Sequence, residues 1–209
     1  MTWTIYGEKW SGAFAVEAAL AEAGAKYEFR EVSLERNEQR QPDFLRLNPV
    51  GKMPAVQLPE GKILTETLAI LLTISERFPD AQLLPPPGSF ARAEALRWLA
   101  FMTSEIYPMV EIDDYPARFV PEGAQSEGLK IKARDRIRER LMILESAVSG
   151  PWLLADGFSL ADIYAALFIS WNSARDWRDQ HVPKICGIAR GVAKRPRIAP
   201  VWPPQFPIP

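Results

Sequence analysis

Over roughly the first eighty residues, short apolar runs alternate with stretches of helical character. WTIYG at residues 3–7 and YEFREVSL at 27–34 have the length and the β-branched and aromatic content of strands. Between them GAFAVEAALAEA, from Gly12 to Ala23, is a run of strong helix formers. After a loop, PAVQL and KILTE flank the turn residues PEG, which predicts a hairpin, and Thr67 to Phe78 again reads as a helix. The pattern is a βαβ unit followed by a hairpin and a helix. FPDAQLLPPPGS then breaks regular structure, because Pro85, Pro86 and Pro87 offer no backbone donors. Beyond it the periodic segments are helical: Phe90 to Pro108, Leu129 to Ser149, Ser159 to Arg175, and a helix ending near Arg195 and Pro196. This predicts an α/β domain over residues 1–80, a linker over 81–89, and an all-helical domain over 90–209 that ends in the proline-rich APVWPPQFPIP.

Composition removes several classes of function. The 209 residues carry 25 basic and 26 acidic side chains, a net charge of −1, so no bulk field favours nucleic acid or anionic lipid as partner. No apolar run approaches bilayer length, and the first residues lack the basic and apolar regions of a signal peptide, which makes the cytoplasm the expected compartment. A single cysteine, Cys186, excludes an intramolecular disulfide and a Cys-x-x-Cys pair; with a single histidine, His181, no metal chemistry is expected.

The segment NPVGKMPAVQLPEGKILTET, from Asn48 to Thr67, holds the most informative chemistry. Pro54 heads a short strand, where the missing donor is tolerated. A cis Met53-Pro54 bond would turn the Met53 amide and carbonyl outward to pair with an extended peptide. At the far end, Glu66 and Thr67 open a helix whose free amides and threonine hydroxyl suit a carboxylate, with Glu66 placed to meet an ammonium on the same ligand. In the helical half, GFSLADIYAA carries a Ser159 N-cap, Asp162 at N3, and Phe158 and Ile163 at the positions of a hydrophobic staple, which is a structural device.

The run NPVGKMPAVQLPEGKILTETLAILLTISERFP resembles the glutathione-binding half of cytosolic glutathione transferases: the proline before the strand, the hairpin and the acid-hydroxyl pair stand at that family's spacing. PDAQLLPPPGSFARAEALRWLAFMTSEI and GFSLADIYAA resemble the same family's linker and capping element. The resemblance implies a thioredoxin-like N-terminal domain joined to an all-helical C-terminal domain, a cytoplasmic homodimer, and a role in detoxification. It implies glutathione as co-substrate without a metal, and a small hydrophobic electrophile as second substrate. Glutathione would be held by the backbone at Met53 and Pro54, by Glu66 and Thr67 at its γ-glutamyl head, and by Lys52, with Gln39 and Arg40 behind it, at its glycyl end.

Chemistry on glutathione requires an anionic thiol, and a hydroxyl donor near a helix N-terminus lowers a thiol pKa of about 8.5 by a unit or more. Ser11 stands where serine-type members of the family place their activating serine, and Tyr6 is the alternative donor, at the spacing to Gly24 of tyrosine-type members. Cys186 falls in the wrong domain for a cysteine-type mechanism. Trp10, Tyr107, Met109, Tyr115 and Phe119 are the candidates for the electrophile pocket, and Trp202 and Phe206 could cover it from the tail. Isomerisation, reductive dehalogenation, ether cleavage and a non-catalytic binding module are the alternatives that one such fold allows.

Overall fold

Four strands make one mixed sheet in the order β2-β1-β3-β4. β1 (Trp3–Gly7) and β2 (Tyr27–Glu31) are parallel and joined by α1 (Ala13–Glu22); β3 (Ala55–Gln57) runs antiparallel to β1 and turns into β4 (Ile63–Thr65). The structure, a computed structural model, describes residues 2–171, 175–206 and 208. In the β3–β4 hairpin Gly61 takes φ +87°, a conformation that costs a glycine little, and Leu58 and Lys62 close the turn with a 2.8 Å hydrogen bond.

The sheet separates two apolar layers. Trp3, Ile5 and Val56 face α1 and α3 (Thr67–Arg77) and join the main core, whereas Tyr6 and Ala55 face the other way, against Val32, Met53 and Phe44 of the short helix α2 (Pro42–Leu45). This is the period-two alternation of a strand covered on both faces. The helix α2 and the 3₁₀ turn before it, residues Glu38–Arg40, form in the segment expected to be loop. Pro42 fits the first turn because that position needs no N–H partner.

The second layer is helical: α4 (Phe90–Phe101), α5 (Tyr107–Asp114), α6 (Glu127–Ala147), α7 (Leu160–Trp171), α8 (Arg175–His181) and α9 (Pro183–Ala193). α7 is buried from Leu160 to Ser170, on every face, as an almost wholly apolar helix must be. It packs on α4 and α9 and, across the domain boundary, directly on α1. The linker is drawn into the same core: Leu83 is buried and its carbonyl accepts the amide of Leu160 at 2.8 Å.

One helix joint departs from the sequence expectation. The Phe90–Pro108 helix continues to Asp114 through one π turn at Met102–Ile106, with Pro108 in the first turn of α5. A proline inside an α-helix removes a donor and clashes with the preceding turn, and the wider π turn relieves both effects. The Thr103 hydroxyl donates to the Leu99 carbonyl at 2.8 Å and the Ser104 hydroxyl to that of Ala100 at 3.0 Å, satisfying oxygens along the irregular stretch. The helix expected over Ser159–Arg175 is described as α7 to Trp171, and α8 is described from Arg175; residues 172–174 lie outside the described residues. The fully buried Arg178 donates to the Ile169 carbonyl at 2.8 Å, setting a cation against a backbone acceptor of α7.

Candidate functional site

Three N-terminal segments converge on one cleft between the layers, a cavity of about 590 Å³. The first is the turn leading into α1. Ser11 is 7 % exposed; its hydroxyl donates to the Glu8 carbonyl at 2.6 Å and accepts from the Ala13 amide at 3.2 Å, so it closes the turn and caps the helix at once. Gly12 follows, packed so closely that a Cβ there would lie 2.2 Å from the Tyr107 hydroxyl.

The second segment is the loop before β3. Met53-Pro54 is cis, and both residues line the cleft. Asn48 holds the loop, its amide donating to the Lys52 carbonyl at 2.6 Å while its oxygen accepts the Val50 amide at 3.1 Å. The third is the head of α3. Glu66 sits at φ +66°, a region that a side chain with a Cβ adopts at a cost, and it turns the chain so that Glu66 and Thr67 both face the cavity. Strain of this kind concentrates where a side chain must be aimed.

At the outer rim Lys52 meets Glu111 of α5 at 2.5 Å, an ion pair that bridges the domains. Gln39 and Arg40 line the same end. Gln39 is 4 % exposed and its side-chain oxygen has no hydrogen-bond partner among the described residues, while Arg40 donates to the Val50 carbonyl at 3.2 Å.

The opposite wall is aromatic. Tyr164, Phe168 and Trp171, at i, i+4 and i+7 on α7, present one stripe toward the cleft. The Tyr107 ring stands edge-on to Tyr164 and Phe168, with centroids 6.5 and 5.5 Å away, and lies 5.4 Å from Trp171. Trp171 donates its indole N–H to the Trp10 carbonyl at 2.8 Å, tying the end of α7 to the turn before α1. Burial pushes both phenols above the usual tyrosine range. For Tyr107, the neighbouring Tyr164 and then the carboxylates of Asp114, Glu66 and Glu111 act in the same direction. Among the described residues the Tyr164 hydroxyl has no partner within hydrogen-bond geometry, and the nearby Thr103 and Thr67 only partly offset its burial.

The expected site residues therefore separate into groups. Ser11, Lys52, Met53, Pro54, Glu66, Thr67, Trp10, Tyr107 and Tyr115 line the cavity. Tyr6, Met109 and Phe119 do not. Tyr6 lies on the sheet face turned to α2, with the Arg30 guanidinium 5.6 Å from its ring, because its neighbour Ile5 takes the face toward α1. On α5, Val110 and Glu111 follow Tyr107 by three and four residues and share its face, which turns Met109 away into the core. Phe119 is 47 % exposed in the 3₁₀ turn Pro116–Phe119, beyond the rim that Tyr115 forms with Arg118 stacked 3.8 Å over its ring. Sequence reasoning passed over the α7 stripe, although the spacing in DIYAALFISW carried it. Among the described residues no three His, Cys, Asp or Glu side chains gather as a metal site.

Comparison with known proteins fits this architecture. Residues 1–76 match the family model of the glutathione S-transferase N-terminal domain, and residues 95–190 that of the C-terminal domain. The uncharacterized GST-like protein YncG of Escherichia coli (strain K12) is 29 % identical over 94 % of this chain and 95 % of its own. Glutathione S-transferase GstA of Escherichia coli O157:H7 is 26 % identical over 88 % and 89 %. A crystal structure of a glutathione transferase homologue from Sulfitobacter, with bound glutathione, superposes with a TM-score of 0.89 at 27 % identity, covering 96 % of each chain. A thioredoxin-like sheet domain, a helical domain built around a buried α7, and a cleft where both meet at the head of α1 place this chain in the glutathione S-transferase family.

Proposed function

We propose that the protein binds glutathione in this cleft and adds its thiol to a small hydrophobic electrophile. The observation that carries the reading is the convergence of three unlike features on one cavity: the head of α1 at Ser11 and Gly12, the loop at Met53 and Pro54, and the head of α3 at Glu66 and Thr67. Together they suit a short peptide with an amino-acid head, an extended middle and a central sulfur.

In this reading the γ-glutamyl carboxylate meets the amides and hydroxyl at Thr67, and its ammonium meets Glu66. The backbone at Met53 pairs with the cysteinyl unit, which sets the sulfur over the head of α1, where the helix dipole favours a thiolate. Lys52, Gln39 and Arg40 serve the glycyl carboxylate. Lys52 would then exchange or share Glu111 for the ligand. The electrophile enters from the aromatic side, between Trp10, Tyr107, Tyr115 and Trp171. Holding both reactants at one point and ionising the thiol supply the rate gain.

Two measurements test this. Calorimetry should show glutathione binding that Thr67→Ala weakens about tenfold, the loss of a charge-assisted hydrogen bond of roughly 1.4 kcal/mol. An aryl chloride activated by nitro groups should be converted to its thioether in a glutathione-dependent reaction. Absence of glutathione binding by the wild-type protein would reject the assignment outright.

A further inference from the structure

We infer that Tyr107 is a catalytic residue whose hydroxyl donates a hydrogen bond to the reacting sulfur, with Ser11 acting mainly to build the turn beneath it. The inference rests on the glutathione reading above and extends it to a residue of the helical domain.

The first observation is the use of the hydroxyl protons. Serine has one, and that of Ser11 is engaged by the Glu8 carbonyl at 2.6 Å, while the same oxygen accepts the Ala13 amide. Donating to a thiolate would release the Glu8 carbonyl in a buried turn. The Tyr107 hydroxyl makes no hydrogen bond among the described residues. It is nevertheless aimed at the head of α1. It stands 2.2 Å from where a Cβ on residue 12 would be, and that same Cβ would lie 3.4 Å from the Met53 carbonyl, so hydroxyl, helix head and peptide-binding loop meet at one point.

The second observation is how the ring is held. The π turn Met102–Ile106 lies immediately before Tyr107 and shifts the helical phase by a residue relative to a continuous α4–α5 helix, and such turns recur at functional sites. Phe168, Tyr164 and Trp171 pack around the ring, and Trp171 is itself bonded to the Trp10 carbonyl. A donor fixed before the substrate arrives needs no reorganisation when charge forms. Titratable groups around it are Tyr164 from α7, Asp114 and Glu111 from α5, and Glu66 before α3; burial comes first and all of them keep the phenol protonated. Tyr107 therefore cannot serve as a base near neutral pH, and the thiol proton leaves to solvent. The thiolate then forms the carbon–sulfur bond, the carbon–halogen bond of an aryl halide breaks, and chloride departs with the electron pair. Sulfur loses its charge in the product, so the bond from Tyr107 weakens as the thioether forms.

The test is the ultraviolet thiolate absorbance of bound glutathione against pH in the wild type, Tyr107→Phe and Ser11→Ala, with thermal unfolding as a control. Tyr107→Phe keeps the ring and should raise the apparent thiol pKa by about one unit, lower kcat/KM for the nitroaryl chloride about tenfold at neutral pH, and change glutathione affinity less than about threefold. Ser11→Ala should move the thiol pKa by less than Tyr107→Phe does. Replacing Tyr107 with 3-fluorotyrosine, a more acidic phenol of nearly the same shape, should lower the thiol pKa, which covers the case in which Tyr107→Phe does not fold. Glutathione bound with a wild-type thiol pKa in Tyr107→Phe, or an unchanged pKa in the fluorotyrosine protein, overturns the inference while leaving the glutathione reading standing. A wild-type protein that binds no glutathione overturns both.

Discussion

Gly12 shows how a single missing side chain shapes this site. Its φ of −55° is open to any residue, so its identity is set by space: a methyl group there would collide with the Tyr107 hydroxyl. Gly12→Ala should push the ring of Tyr107 off the head of α1 without removing any functional group. The expected outcome is a folded protein with glutathione-dependent turnover reduced at least about tenfold, a loss of the size seen when one preorganised donor is misplaced. Near-wild-type turnover would show that the contact is incidental. The value of Gly12 was not legible in the sequence, because the atom that excludes a side chain comes from a residue 95 positions away. Ser11, by contrast, was legible from its place before the helix, although its hydroxyl proves to be committed to the Glu8 carbonyl.

At the scale of elements, caps decide where helices begin, and that of α7 was readable. Asp162 accepts the Ser159 amide at 2.7 Å and the Leu153 amide at 2.7 Å, while the Ser159 hydroxyl accepts the Ala161 amide at 3.2 Å. The reciprocal bonds match the sequence pattern, and Asp162 further anchors a loop that sequence spacing does not reveal. Phe158 packs edge-on to Trp152 at 5.1 Å and carries the Arg195 guanidinium 3.6 Å from its ring. Ser159→Ala removes the acceptor for Ala161 and the hydroxyl donor to Asp162 at 3.2 Å but leaves the two backbone amide bonds to Asp162 in place, so denaturant unfolding should show a loss of about 1 kcal/mol. Glutathione affinity should remain unchanged, since α7 reaches the cleft only through its later turns. The cap of α9 is of another kind: the Lys184 and Ile185 amides both donate at 3.0 Å to the carboxylate of Glu145, which belongs to α6. No local pattern could announce it, because cap and helix are brought together only by packing. The π turn was hidden for a related reason, since the Pro108 that marks it also suits an ordinary helix end.

Across the whole molecule, the tail serves the first helix. Trp202 and Phe206 meet the buried Phe14 of α1 edge-on, with ring centroids 5.2 and 5.4 Å away, and Phe206 reaches the cleft as well. Arg195 pairs with Glu22 at 2.7 Å, and Arg197 donates to the Glu22 carbonyl at the end of the same helix. A mere lid could be removed with little effect on stability. A chain ending at residue 200 should instead lose about 3–5 kcal/mol, the range for deleting buried aromatic packing, and should melt well below the full-length protein. An unchanged melting temperature would return the tail to the role of a cover. The two layers are thus one unit around α1 and α7, and the cleft exists because the head of one helix faces the late turns of the other.

Alternation of short strands with a helix, the proline-marked linker and the apolar run of α7 were enough to establish an α/β layer followed by a helical one, because each is a local consequence of burial on a fixed period. The acid-hydroxyl pair at Glu66 and Thr67 and the proline at 54 were readable for the same reason: helix heads and strand starts impose chemistry on a few adjacent residues. Tertiary structure alone decided which aromatics share a cavity, that Tyr6 turns to α2, and that Tyr107 reaches across the domain boundary to Gly12. Those outcomes depend on the phase of a helix after its π turn and on the packing of α7 against α1. A few degrees of rotation there move a side chain from core to cleft, and no residue within reach along the chain records the angle.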